Sequence, residues 1–201
     1  MGTVIADISM SLDGYVAGPG ADPDNGLGVG GEGIHAWVLE EPRSPVDEAV
    51  LADSFEDTGA VVMGRRLFDV VDGPNGWNDD VGYGHDQDQA AAPVCFVVTH
   101  QHPTQVRLAS RFQFVTDGVA AAVDRARAAA GTKDVVIMGG ANVIDQSLAQ
   151  GLVDELRIHL SPLVVGGGTR LFDLVGPCRL VQRKVVESPR ATHLSYTVVN
   201  G

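Results

Sequence analysis

Asp134-Val-Val-Ile-Met-Gly-Gly-Ala-Asn-Val-Ile-Asp-Gln146 is the stretch whose reading decides the fold. Val135, Val136, Ile137 and Met138 form a short apolar run rich in β-branched residues, which predicts a strand buried on both faces. Gly139-Gly140 breaks the run. Ala141 to Gln150 can then be helical, with Val143, Ile144, Ser147 and Leu148 on one face. A buried strand, a glycine corner and a helix start make a place for an anion, because the first-turn N–H groups and the positive end of the helix dipole point outward together. Absent side chains at Gly139 and Gly140 would let a ligand touch the backbone. A glycine pair at such a corner also serves plain tight packing, so the stretch needs support from elsewhere in the chain.

Two other strand ends supply it. Ala60-Val61-Val62-Met63 reads as a second buried strand and runs into Gly64-Arg65-Arg66-Leu67-Phe68-Asp69. Adjacent arginines at the mouth of a buried strand suit an anionic partner such as phosphate, or simply balance an acidic surface. Pro93 to Val98 is a third such strand, ending at Thr99-His100-Gln101. Open α/β sheets gather the loops at their strand ends on one edge and bind ligands there. One long ligand carrying several phosphates would account for the hydroxyl, the two arginines and the glycine helix start.

The remaining segments fill in the architecture. Thr3 to Met10 reads as a strand inside the sheet, with no leader before it; Asp7 within it needs a partner or a ligand. Asp13-Gly14 signals a turn, which a plain hairpin would explain. Pro19 to Gly33 holds six glycines and reads as a lid or binding loop. Trp37, in the helix-like Ile34 to Leu39, is either core or one wall of a pocket for a flat ring. Ser44-Pro45 starts a helix running to about Asp57, with Val46, Ala49, Val50 and Phe55 inward and Gly59 ending it. Val71 to Gln89 is a polar loop whose Trp77 needs cover. Phe112 to Val115 is a fourth short strand, and Gly118 to Ala130 a helix with Asp117 as N-cap and Val119, Ala122, Val123 and Ala126 as its stripe. Val153 to Ser161 alternates as a half-exposed strand. Arg179 to Glu187 and Thr192 to Asn200 form an antiparallel hairpin about Ser188-Pro189-Arg190. The sum is an α/β fold over residues 1–201: one domain, with a mixed, mostly parallel sheet, helices on both faces and a C-terminal antiparallel hairpin.

Composition narrows the function. With 14 basic and 26 acidic side chains the net charge is −12, which argues against non-specific binding to nucleic acid or an anionic membrane. No apolar run approaches the ~20 residues that span a bilayer, and a cytoplasmic protein is expected. Cys95 and Cys178 stand in apolar settings and read as two buried free thiols, not as a disulfide or a metal site.

Four motifs in order carry a resemblance: Ser9-Met10-Ser11-Leu12-Asp13-Gly14-Tyr15-Val16-Ala17, Val62-Met63-Gly64-Arg65-Arg66, Ile137-Met138-Gly139-Gly140, and Leu160-Ser161-Pro162-Leu163-Val164-Val165-Gly166-Gly167-Gly168-Thr169. Over nearly its whole length the chain resembles the dihydrofolate reductase-like superfamily, and most nearly stand-alone relatives of the riboflavin-biosynthesis reductase domain. The resemblance implies the three-layer fold of that superfamily and NADPH as hydride donor. By the same match Gly64, Arg65 and Arg66, with Thr99 and His100, hold the adenosine-ribose phosphate. Gly139, Gly140, Ala141, Asn142 and Val143 hold the pyrophosphate, and Ala6, Asp13, Gly14 and Val16 line the nicotinamide and substrate side. Asp13 is the candidate to fix the substrate or relay a proton, and Trp37 and Trp77 are candidates to wall its ring.

Departures from the pattern matter as well. Relatives often carry Thr where Leu67 stands. The helix after the first loop offers Asp47, Glu48 and Asp53, with no motif selecting one as the acid of a folate reductase. The His-x-Glu and Pro-Cys-x-x-Cys pattern of the zinc deaminase partner is missing. The reading is therefore a reductase of a small heterocycle resembling the phosphoribosylaminouracil reductase. A dihydrofolate or pterin reductase and a non-catalytic NADP-binding protein of the same fold are the alternatives. A small-molecule substrate and a homodimer through the terminal strands complete the expectation.

Overall fold

A computed structural model describes residues 2–199; Met1, Asn200 and Gly201 lie outside the described residues, including the last residue of the expected final strand. The strands are β1 (Val4–Ser11), β2 (Tyr15–Ala17), β3 (Thr58–Gly64), β4 (Val94–Val98), β5 (Phe112–Val115), β6 (Asp134–Gly139), β7 (Glu155–Ser161), β8 (Thr169–Arg170), β9 (Arg179–Glu187) and β10 (Thr192–Val199). Eight of them form one sheet in the order β5-β4-β3-β6-β1-β7-β10-β9, while β2 and β8 pair separately. β5 through β7 in that order are parallel; β10 pairs antiparallel with β7, and β9 antiparallel with β10, so β10 alone is reversed. The N-terminal strand is thus central, held by Val4 opposite Val135 on one side and Ile5 opposite Glu155 on the other.

The helices are α1 (Ala36–Leu39), α2 (Pro45–Asp57), α3 (Arg65–Val71), α4 (Val119–Ala130) and α5 (Ala141–Ala149), with a 3-10 turn at Glu32–His35 ahead of α1. Alternation along the strands divides them between two cores. Val4, Ala6 and Ile8 of β1 join Val135 and Ile137 under α4 and α5. Ile5, Val136, Met63 and Val97 face the other way, under Phe68 and Val71 of α3. The mixed sheet with helices on both faces is therefore as expected, and so is the apolar stripe of α4.

Several local expectations change. The inward face of α2 is Asp47 and Leu51, and Ala49 is exposed. Gly59 lies inside β3, where a Cβ would stand 2.7 Å from Ala130 Cα, so it is a packing glycine and not a helix stop. Gly118, at φ +90°, occupies the N-cap of α4, and Asp117 pairs with Arg125 at 2.8 Å instead. β7 is an interior strand between β1 and β10, so His159 on it is buried rather than half-exposed. Asp13-Gly14 does turn the chain, with Gly14 N–H donating to Ser11 O, but β2 then pairs with β8 and makes no hairpin with β1. Cys95 is buried and Cys178 exposed, both free. Among the described residues no helix is long and apolar enough to cross a membrane.

Candidate active site

Because β4, β3 and β6 are adjacent and parallel, Thr99, Gly64 and Gly139 end side by side on one edge of the sheet. Gly139 has φ +125°, which glycine adopts freely, and a cis peptide joins it to Gly140. Gly140 is the N-cap of α5, and no side chain caps that end. A Cβ on Gly140 would meet nothing within 4 Å, whereas one on Gly64 would stand 2.9 Å from Val143 Cγ2. The two glycines therefore differ in kind: Gly64 lets α5 close on β3, and Gly140 leaves the helix start open to an anion.

The other expected cofactor residues are distributed around this corner. Ala141 and Val143 are buried on α5; Asn142 is exposed, its Oδ1 accepting from Gln146 Nε2 at 2.6 Å. Arg65 is already committed, with Nε 2.7 Å from Asp69 Oδ1 and Nη1 donating to Gln101 O. Arg66 is exposed and makes no ion pair among the described residues. Beside Arg65 a hollow of about 150 Å³ has Asp69 and Asp72 on its wall, which makes it a poor phosphate seat. Thr99 is buried with its hydroxyl donated to Gln101 O, and His100 is exposed. Ala6 and Val16 belong to the core under α4 and α5, and Gly14 turns at φ +90°.

Three expected roles do not survive the geometry. Asp13 is a staple: Oδ1 accepts from Ser11 Oγ and Val165 N–H, and Oδ2 from Gly166 N–H. Partial desolvation pushes its carboxyl up, but those donors outweigh it and hold the group at about 2, so Asp13 stays ionised and is no proton donor. Trp77 stacks on Phe112, the first residue of β5, at the end of the sheet opposite Thr99 and Gly139. Trp37 is only 4% exposed and its Nε1–H donates to Ser9 Oγ, so it walls no open pocket.

What Trp37 covers is the feature sequence reading missed. Its ring lies 4.3 Å from that of His159 and 4.9 Å from that of His193. These two histidines link two acids in one buried line. Asp47 Oδ1 is 2.9 Å from His193 Nε2, the two Nδ1 atoms are 2.7 Å apart, and His159 Nε2 is 2.9 Å from Asp7 Oδ1. Burial would raise the Asp7 carboxyl, yet His159, Arg157 and His193 together hold it below the ordinary value. Asp47 is likewise pushed up by burial and pulled lower by hydrogen bonds from Ser44, Ser188 and His193. His193 is lowered by burial and by the charge of His159, against the pull of Asp47. The only signal in the sequence was Asp7 itself, an acid in a central strand with an unmet need for a partner.

Among the described residues no cluster of His, Cys, Asp or Glu has a metal-holding arrangement.

Comparison with known proteins gives a consistent picture. The sequence profile of the RibD C-terminal domain family matches residues 2–194. An uncharacterized protein of Bacillus subtilis (strain 168), YyaP, is 24% identical over 175 residues, covering 84% of this chain and 79% of that protein. The crystal structure of a putative riboflavin biosynthesis protein from Shewanella sp. PV-4 aligns with a TM-score of 0.68 at 20% identity, over 98% of this chain and 99% of that one. A deaminase/5-amino-6-(5-phosphoribosylamino)uracil reductase from Thermotoga maritima aligns with a TM-score of 0.62 at 14% identity, and this chain covers 57% of its length. The dihydrofolate reductase-like, three-layer fold expected from the motifs is the one found.

Proposed function

The chain belongs to the RibD C-terminal domain family, and from that premise we propose that it is a stand-alone NADPH-dependent reductase of a small heterocycle. The substrate would resemble the ring that the 5-amino-6-(5-phosphoribosylamino)uracil reductases act on, and the enzyme would work as a cytoplasmic homodimer. One observation carries the reading: the uncapped start of α5 at Gly140, with open space above it, lies in one row with Gly64 and Thr99. Such a corner fits a dinucleotide. The first-turn N–H groups of α5 would take the pyrophosphate, and Arg66, exposed and not ion-paired among the described residues, would take the extra phosphate that distinguishes NADPH from NADH. Bound there, the dinucleotide would supply hydride for reduction of a C=N or related bond. The chain itself orients it, keeps water from the reacting faces and provides a proton.

The test is differential binding. NADPH should raise the thermal midpoint in proportion to its concentration over Kd. Arg66→Ala should weaken NADPH by ~10-fold or more, the worth of one charge-assisted contact, and leave NADH nearly unchanged. Equal losses for both nucleotides would remove Arg66 from the phosphate site. Tight NADPH binding without oxidation on any pterin, aminopyrimidine or cyclic imine would turn the reading to a non-catalytic nucleotide binder.

A further inference from the structure

We infer that Asp7 is the residue that hands a proton to the substrate, and that the buried His159–His193 pair behind it, closed off by Asp47, stores that proton. This deepens the reductase reading and rests on it.

The first argument is a count of protons. Three contacts of 2.9, 2.7 and 2.9 Å join Asp47, His193, His159 and Asp7 in line. Ionised carboxylates only accept, and two neutral imidazoles carry one proton each. Two protons cannot serve three contacts. One contact would then set lone pair against lone pair in a dry pocket, at the cost of an unmade buried hydrogen bond. A third ring proton completes the line: one imidazolium shared between the rings, flanked by two carboxylates.

The second argument is direction. The side chains of Asp47, His193 and His159 are 0%, 6% and 6% exposed, and that of Asp7 is 17% exposed. Trp37 closes over both rings. The line is sealed at Asp47 and open at Asp7 alone.

Location is the third. On this face α3 lies over the β3–β5 side, and α1 and α2 lie over the β1–β10 side through Trp37 and Asp47. Between them Met138 of β6 and Asp7 of β1 are only partly covered, although they sit in the two central strands of the sheet. Ala6 is opposite Ile137, so Asp7 and Met138 are neighbours. Leu67, also partly covered, reaches to 3.7 Å from where a Gly139 Cβ would stand. Asp7, Met138 and Leu67 therefore form a partly covered strip that leads from the open side of Asp7 toward the corner at Gly139 and Gly140.

The chemistry then balances. The dinucleotide, when bound, would supply hydride to the carbon of a C=N bond, and the π pair displaced to nitrogen would need one proton. That proton leaves His159 Nε2, passes through the Asp7 carboxylate and forms the new N–H bond. The proton shared between the Nδ1 atoms moves from His193 to His159. The line falls from three ring protons to two, and water refills it through Asp7. Other polar and charged groups facing the line are Ser9 on β1, Arg157 with its partner Glu155 on β7, Ser44 on the α2 cap, Ser188, His35 and Tyr83. Of these, His35 is held neutral by burial and by the charge of His159, with its pKa at about 4, and burial holds the Tyr83 phenol protonated.

The experiment labels the full chain with ¹⁵N-histidine and counts protonated ring nitrogens at pH 7 by NMR. Three of the four in His159 and His193 are expected; two would overturn the store. Asp7→Asn keeps an acceptor for His159 but cannot carry a proton. It should leave NADPH affinity near wild type, lower the thermal midpoint by the stability the ionised carboxyl contributes, and lower kcat by ~100-fold or more on a dihydropterin or on 1-pyrroline. His193→Gln should lower kcat less and shift the acid limb of the pH profile. Asp7→Asn turning over at the wild-type rate with an unchanged profile would overturn the assignment while leaving the reductase reading intact. Failure of NADPH to bind would sink both. With NADPH bound and no probe reduced, the NMR count alone decides: three ring protons support the store and two refute it.

Discussion

His35 ends the 3-10 turn before α1 with its Nδ1 buried and without a hydrogen-bond partner among the described residues. Burial, then the charge of His159, lower its pKa from 6.5 to about 4. A depressed value means that the unfolded chain takes up a proton that the folded chain refuses. The stability His35 contributes is thus complete above pH ~6.5 and is lost as pH falls toward ~4, at most ~3 kcal/mol and less for the part of the ring that water reaches. His35→Phe removes the titration, so the thermal midpoint of the variant should decline less between those pH values. An unchanged slope would put the acid sensitivity elsewhere. Asp7 and Asp47 act in a lower window, because both carboxyls are held below their ordinary 3.8. Their contribution is lost only as pH drops through that value and beyond. A two-stage acid profile should therefore appear in urea melts, with the upper stage missing in His35→Phe.

At the scale of the element, the corner between β6 and α5 separates stability from binding. Gly140 has φ −69°, with nothing within 4 Å of a built Cβ, so Gly140→Ala should change stability by no more than ~0.5 kcal/mol. The same methyl group would stand where a phosphate must approach, and NADPH affinity should fall by ~10-fold or more, read by calorimetry. Gly139→Ala puts a side chain at φ +125° and should cost ~1–3 kcal/mol. Equal effects from the two variants would mean that the corner is only a packing device. This corner was legible in the sequence because buried parallel strands are continuous apolar runs and a glycine pair marks their end. The inward acid of α2 was not. A helix reading assigns apolar residues to the core, and Asp47 goes inward only because His193, far along the chain, is there to meet it. Nor could alternation in β7 and β10 show that His159 faces His193, since that depends on a register set by pairing.

Taken whole, the molecule has one unfinished side. β9 is one of the sheet's two edges, nearly all of it exposed, and Leu180, Val181, Val185 and the neighbouring Val199 present apolar side chains to solvent. Long exposed apolar edges invite pairing, and the homodimer proposed above would use this one. Val181→Lys with Val185→Lys should give a folded monomer by light scattering where the wild type is a dimer. A wild type that is monomeric at micromolar concentration would discard the dimer. The central place of β1 has a different consequence, for how the chain acquires its shape. Its neighbours β6 and β7 lie some 120 residues or more further along the chain, so β1 waits long for its partners during synthesis. Contacts so distant along the chain slow folding, and nascent fragments that end before residue 134 carry a β-branched strand with both edges bare. Such a chain should depend on chaperone protection during synthesis more than a protein of equal size whose strands pair with their neighbours in sequence.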